Sequence, residues 1–153
     1  MNSGELESIL AASDGYLGVF SRNFLPIIEK NGDFLVLNSQ CWPCTGDSMG
    51  HWVALFKASH DTLELFDSFG LPPVVYNITS NYLNCDFLYN TRQYQGISST
   101  VCGHYAALFC LARRTGVSYK RFLDLFQEGR YEENDRKVVD ILNRVIAADA
   151  MRV

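Results

Sequence analysis

The spacing of the apolar residues changes at Cys102, and this change constrains the fold more than any other feature of the sequence. Before Cys102 the apolar segments are short, rich in strand-forming residues and bounded by turn residues, at 34–37, 52–56, 63–66 and 87–89. This pattern predicts short strands. After Cys102 the apolar side chains recur at helical spacing. The sequence therefore predicts an α+β fold with a mostly antiparallel central sheet packed against helices.

Helices are predicted at both ends of the chain. A short amphipathic helix is expected over residues 5–12, and a buried helix from Cys102 to about 116. Ser118 is expected to cap a following helix, and Asp135 to cap the last one. Residues 74–83 fit a helix and a strand equally well.

The size and composition of the chain narrow the class of protein. With 153 residues, 48% of them hydrophobic, the chain can bury a sizeable core, and a single domain over residues 1–153 is expected. A net charge of −4 argues against nucleic acid as a partner. No apolar run approaches the roughly 20 residues that span a bilayer, and no secretory leader opens the chain. The composition thus predicts an intracellular protein that is neither secreted nor membrane-bound.

The cysteines do not form a recognisable framework. There are five, an odd number that does not suit the disulfides of a secreted domain. Cys41 and Cys44 have redox spacing, but a loop sequence follows them where a redox pair would begin a helix. A zinc site would need a second ligand pair, and neither Cys85 nor Cys110 has a cysteine two positions away. The sequence therefore requires no metal or cofactor. The segment around Cys41 and Cys44 is expected to be a loop that leads into His51.

Three residues at the edges of predicted elements carry the chemistry. Cys102 stands where a helix begins, and unpaired amide groups and the helix dipole favour a thiolate there. His51 precedes one strand and Asp67 follows the next, so antiparallel pairing brings both side chains to one sheet edge. An imidazole held by a carboxylate is an oriented general base.

Gln95 supplies a fourth group. It lies in a loop before Cys102, where its amide and the Cys102 backbone amide could form an oxyanion hole. Each residue alone has an ordinary structural reading: a small buried cysteine, a structural histidine or a surface glutamine. His60 and His104 are worse placed as bases, one in a turn and the other inside a helix. The ordered set of four predicts a cysteine peptidase.

The motifs around these residues resemble a known family. Gly50-His51-Trp52, Leu65-Phe66-Asp67-Ser68-Phe69-Gly70 and the run from Gln95 to Cys102-Gly103 are similar to the adenovirus proteases (adenain), in the clan of the ubiquitin-like-protein-specific proteases. The step from Gln95 to Cys102 matches the adenain spacing. The resemblance covers about residues 5 to 115.

By this resemblance, His51 is the general base, Asp67 its orienting acid, Gln95 the oxyanion donor and Cys102 the nucleophile. Two further residues bind substrate: Trp52 walls the site, and Gly103 gives the substrate room. The resemblance also implies protein substrates with glycine near the cleavage site, cleaved through a thioester.

The sequence departs from adenain in ways that affect its partners. Adenain has a glutamate at the position of Asp67. Adenain is also basic and is activated by viral DNA, whereas this chain is acidic, which argues against DNA activation. An activating peptide joined by a disulfide stays open, since Cys85 lies near the matching position; a buried free thiol is the alternative reading of Cys85.

Two classes of function remain open. The first is a cysteine endopeptidase that matures viral or mobile-element precursors, or a deconjugating protease for ubiquitin or a ubiquitin-like protein. The second is a catalytically silent module that binds glycine-rich tails. The viral interpretation places the protein in the host nucleus or cytoplasm and in the virion.

Overall fold

The computed structural model describes residues 1–41 and 50–151. The helices are α1 (Ser3–Leu10), α2 (Cys102–Arg114), α3 (Tyr119–Leu123) and α4 (Tyr131–Ala150), and the strands are β1 (Tyr16–Ser21), β2 (Phe34–Asn38), β3 (Trp52–Lys57), β4 (Thr62–Phe66) and β5 (Asp86–Tyr89). Two short 3-10 turns, Pro73–Tyr76 and Thr79–Tyr82, lie between β4 and β5. The predicted α+β class is confirmed.

The described strands form one sheet in the order β1-β2-β3-β4-β5, and the sheet is mixed. Strand β3 is antiparallel to both of its neighbours, whereas β1 pairs parallel with β2 and β5 pairs parallel with β4. The expectation of a mostly antiparallel sheet is therefore only partly right. The physical reason lies in the connections, because residues 22–33 and 67–85 are long enough to return the chain to the starting end before the next strand.

Both faces of β3 are buried, so the sheet separates two apolar clusters. One face, with Trp52, Ala54 and Phe56, packs against α2 and belongs to an apolar cluster that also contains residues of α1 and α4. On the other face, Val53 and Leu55 pack in a cluster that includes buried residues of the two 3-10 turns. The central strands are thus fixed by packing on both sides, and their ends are well placed to hold functional side chains.

The local predictions were confirmed unevenly. Helix α1 begins two residues earlier than expected, because Asn2 caps it and Glu5 bonds back to the Asn2 amide. Ser118 caps α3 as predicted, accepting from the Arg121 amide at 3.2 Å. The ambiguous residues 74–83 contain the two 3-10 turns. The edge strand β1 was not predicted, since its apolar residues are interrupted by Gly18.

The prediction that Asp135 caps the last helix is wrong. Helix α4 begins at Tyr131, so Asp135 lies in its second turn. Its carboxylate accepts instead from the Gly96 amide at 3.1 Å and from the Tyr105 hydroxyl at 3.0 Å. The Asp135 carboxylate therefore accepts tertiary hydrogen bonds and does not cap a helix.

Within residues 1–41 and 50–151, no helix combines the length and the apolar content that crossing a membrane would require.

Candidate active site

His51 and Asp67 meet at one edge of the sheet. His51 directly precedes β3 and Asp67 directly follows β4, and these two strands are antiparallel neighbours. The His51 amide donates to Ser39 Oγ at 2.9 Å, which fixes the entry to β3. Gly50 has a φ of 64°, and a Cβ there would collide with the Asn38 side chain. The glycine is therefore required by both its backbone conformation and its surroundings.

Asp67 is fully buried, and its carboxylate is saturated by hydrogen bonds. Oδ1 lies 2.6 Å from His51 Nε2 and accepts from the Phe69 amide at 2.8 Å. Oδ2 accepts from the Leu71 amide at 3.1 Å and from the Tyr76 hydroxyl at 2.5 Å. Four donors offset the loss of hydration that burying a carboxylate entails. The carboxylate is thus held in one orientation toward the imidazole.

Tyr76 belongs to this network although the sequence analysis did not single it out. Its side chain is almost completely buried, and burial together with the Asp67 carboxylate raises the pKa of its hydroxyl far above the ordinary value. The hydroxyl therefore stays protonated and acts as a donor. No local motif marks Tyr76; only the 3-10 turn Pro73–Tyr76 brings it back to the sheet edge.

Cys102 is the first residue of α2 and lies against His51. Because His51 Nε2 faces Asp67, Nδ1 is the ring nitrogen left for the thiol. Burial alone would raise the pKa of Cys102, but hydrogen bonds with His51 and with the Trp52 backbone outweigh it, so the pKa lies below the ordinary thiol value. Burial would likewise lower the pKa of His51, but its bonds to Asp67 and Cys102 raise that pKa to about 9. The opposite shifts favour a thiolate beside an imidazolium.

Gln95 is buried next to this pair and is held at both ends of its amide. Its Oε1 accepts from Ser68 Oγ at 2.6 Å, and its Nε2 donates to the Ser99 carbonyl at 2.8 Å. One N–H of the amide remains for another acceptor. The neighbouring Gly96 is tied to α4 through Asp135, as described above, so the loop before Cys102 is fixed from two sides.

Three of these four residues, His51, Gln95 and Cys102, line one pocket, and Asp67 bonds to His51 from outside that lining. The pocket has a volume of about 250 Å³ and is lined by Met1, Gly50, His51, Trp52, Phe69, Gln95, Ile97, Ser99, Thr100 and Cys102. The Phe69 ring lies 4.7 Å from the His51 ring, centroid to centroid, and covers it. Neither Phe69 nor Met1 was predicted from the sequence to line the site.

The two residues expected to bind substrate occupy different positions. Trp52 lines the pocket, and its Nε1 donates to the Met1 carbonyl at 3.0 Å. Gly103 is buried behind the pocket, where a Cβ would lie 2.9 Å from Met1 Cβ and 3.2 Å from the Trp52 ring. The close approach of Met1, and then of Trp52, leaves no room for a side chain after Cys102.

The remaining candidates lie apart from this pocket. His60 is exposed, and His104 lies inside α2. Cys85 contacts Lys57 and packs beside the opposite apolar cluster. Cys41 is exposed, and Cys44 lies outside the described residues. Among the described residues, no group of three His, Cys, Asp or Glu side chains could hold a metal ion.

Comparison with known proteins adds a likeness in fold. No family model matches the sequence, and no curated protein matches it. The central domain of the uncharacterized Lpg1148 protein from Legionella pneumophila is similar, with a TM-score of 0.54 and 14% identity over 97% of this chain and 96% of that domain. The C-terminal Ulp1 protease domain, solved with Smt3, the yeast ortholog of SUMO, gives a TM-score of 0.46 and 12% identity over 97% of this chain and 75% of that one.

Proposed function

We propose that the protein is a cysteine endopeptidase related to the adenovirus proteases, with His51, Asp67 and Cys102 as the catalytic triad and Gln95 as the oxyanion donor. The single observation that carries the proposal is the chain of contacts from Asp67 through His51 to Cys102, in which the pKa of the thiol is lowered and that of the imidazole is raised. A structural cysteine has no need for such a shift.

The proposed reaction is acyl transfer through a thioester. The Cys102 thiolate attacks the scissile carbonyl, and the resulting oxyanion accepts hydrogen bonds from the free Gln95 N–H and the Cys102 backbone amide. His51 then gives its proton to the leaving amine, and the C–N bond breaks. A water molecule, losing its proton to His51, attacks the thioester and releases the acid and the thiol. Asp67 keeps the imidazole oriented through its bond to Nε2.

The proposed substrate is a protein with glycine near the cleavage site. This preference is the one that the resemblance to the adenovirus proteases implies, and the aromatic side chains of Trp52 and Phe69, which both line the pocket, are consistent with it. The contacts among His51, Asp67 and Cys102 all form within the chain itself. An activating peptide at Cys85, which the resemblance allows, stays open. Precursors of a virus or mobile element remain the proposed natural substrates.

A thiol-reactive probe built on a glycine-ending peptide tests the proposal. We expect labelling at Cys102 in the wild type, and a loss of at least about 10²-fold in the labelling rate for His51→Ala because the base is gone. His60→Ala is the matched control, since His60 is exposed and distant from the pocket. Undiminished labelling of the His51 variant would contradict the proposal.

A peptide library then separates the kinds of protease. Cleavage within extended peptides, with residues accepted on both sides of the bond, supports an endopeptidase. Cleavage only after a terminal glycine pair on a folded ubiquitin-like protein would show that the protein is a deconjugating enzyme and not an endopeptidase. Binding of glycine-rich tails without turnover would identify a silent module and contradict the catalytic assignment.

A further inference from the structure

A lysine and a cysteine meet on the side of the sheet that is opposite α2. Lys57 is the last residue of β3, and its Nζ lies 2.9 Å from Cys85 Sγ, just before β5. Lys57 is only 5% exposed. Lysines are almost never this buried unless a counter-charge accompanies them. In the described part of the chain, no carboxylate pairs with Lys57, and the thiol is the acceptor recorded for its ammonium group.

The environment of this pair differs from that of an ordinary buried thiol. The sulfur has a primary amine group as its direct neighbour, and cysteine reacts with peroxides as its thiolate. Cys85 is also partly exposed, so a small oxidant can reach its sulfur. The lysine nitrogen is already within contact distance of that sulfur. A nucleophile, an oxidisable atom and access from solvent are therefore combined at one place.

We propose that Lys57 and Cys85 form an oxidative cross-linking site, in which hydrogen peroxide converts the pair into a sulfenamide. In the first step the Cys85 thiolate attacks one peroxide oxygen and the O–O bond breaks, giving a sulfenic acid and hydroxide, which takes one proton from the Lys57 ammonium. In the second step the Lys57 amine attacks the sulfur, an S–N bond forms, and the S–O bond breaks to release water. Thiolate, ammonium and peroxide thus become the sulfenamide and two waters; the sulfur is oxidised by two electrons and the peroxide is reduced.

The cross-link would join parts of the sheet that are distant in sequence. Lys57 and Cys85 are separated by 28 positions, and β4 lies between their strands. A covalent bond closing this loop restricts the unfolded chain, so we expect the oxidised protein to melt roughly 5 °C higher or more. The site is independent of the proposed protease function, because Lys57 lies at the far end of β3 from His51.

Peptide mass spectrometry of the intact folded chain after hydrogen peroxide treatment tests the inference. We expect a peptide joining Lys57 to Cys85 that has lost two hydrogens relative to its two parts, with no trypsin cleavage after Lys57 and with recovery of both peptides upon reduction. The Tm should rise in the same samples and return on reduction. Cys85→Ser should abolish the cross-link and the change in Tm.

Lys57→Arg is the matched control, because it keeps the positive charge but removes the nucleophilic amine. Its Cys85 should still oxidise and be trapped by dimedone as a sulfenic acid without cross-linking. If this variant does not fold, as judged by circular dichroism, Lys57→Met replaces it. A cross-link in either variant, oxidation of wild-type Cys85 with a free Lys57 amine, or a joined peptide that carries an extra oxygen would each overturn the sulfenamide.

Discussion

Two cysteines of helix α2 lie in opposite chemical environments. Cys102 begins the helix at the pocket, where contacts with His51 and the Trp52 backbone lower the pKa of its thiol. Cys110, eight positions further along, is completely buried in the apolar cluster, and burial raises the pKa of its thiol far above the ordinary value. The same side chain on the same helix is thus a candidate nucleophile at one end and a buried core residue in the middle. Neighbouring groups, more than residue type, decide what a thiol does.

Replacing each cysteine in turn should give the largest contrast. We expect Cys102→Ala to lower kcat by at least about 10⁴-fold, because the nucleophile is lost, while thermal stability stays close to that of the wild type. Cys110→Ala should keep kcat but lower the free energy of unfolding by about 1–2 kcal/mol, since it leaves a small cavity in the core. Peptide cleavage and urea titration measure the two effects. A kcat in Cys102→Ala close to that of the wild type would mean that Cys102 is not the nucleophile.

The pH profile tests why the two thiols differ. Activity should rise with pH as Cys102 ionises, below the pKa of an ordinary thiol, and fall as His51 loses its proton near its pKa of about 9. Asp67→Asn removes the carboxylate that raises the His51 pKa, so the falling limb should move to lower pH and kcat should drop by up to about 10⁴-fold. Asp61→Asn, in an exposed turn, is the control. If Asp67→Asn leaves the falling limb of the pH profile unchanged, Asp67 does not raise the pKa of His51.

Gln95→Ala tests how the oxyanion that forms when Cys102 attacks the substrate is stabilised. No such oxyanion can form at the buried Cys110. We expect kcat to fall about 10²–10³-fold with little change in KM, because the side-chain donor acts on the oxyanion and not on the bound substrate. The exposed Gln127→Ala should have no effect. A change confined to KM would show that Gln95 binds substrate instead.

Tyr76→Phe should have the smallest effect of the set. Losing one of the four donors to Asp67 leaves the carboxylate more basic and less firmly oriented, so we expect kcat to fall about 10-fold and the falling pH limb to move upward. Tyr82→Phe is the matched control, because its buried hydroxyl donates to the Pro26 carbonyl at 2.7 Å and does not touch Asp67. Equal losses in both variants, without a shift in the pH limb, would indicate a purely structural role for Tyr76.

The predictions made from the sequence were strongest where the signal was local. Short runs of strand-forming residues bounded by turn residues located β2 to β5, and the change to helical spacing located α2, because both patterns depend on neighbours along the chain. The parallel pairing of the two outer strands could not be predicted in this way, since both arrangements bury the same faces. The prediction that Asp135 caps the last helix was wrong because residues that can cap a helix are equally good acceptors for distant donors, here Gly96 and Tyr105.

The candidate site also contains residues that were predicted from the sequence and residues that only the structure identified. The order and spacing of residues were enough to nominate His51, Asp67, Gln95 and Cys102, and the structure brings all four to one place. Phe69 lay inside a quoted motif without an assigned role, and Tyr76 on the carboxylate and Lys57 beside Cys85 carried no sequence signal.

The sequence by itself determined the elements, the apolar faces and the residue types available for chemistry, because those depend on neighbours along the chain. Only the tertiary structure decided which thiol is activated and which carboxylate is saturated with donors. Those properties depend on burial and on hydrogen bonds between residues far apart in sequence, and the register and packing of the sheet set both.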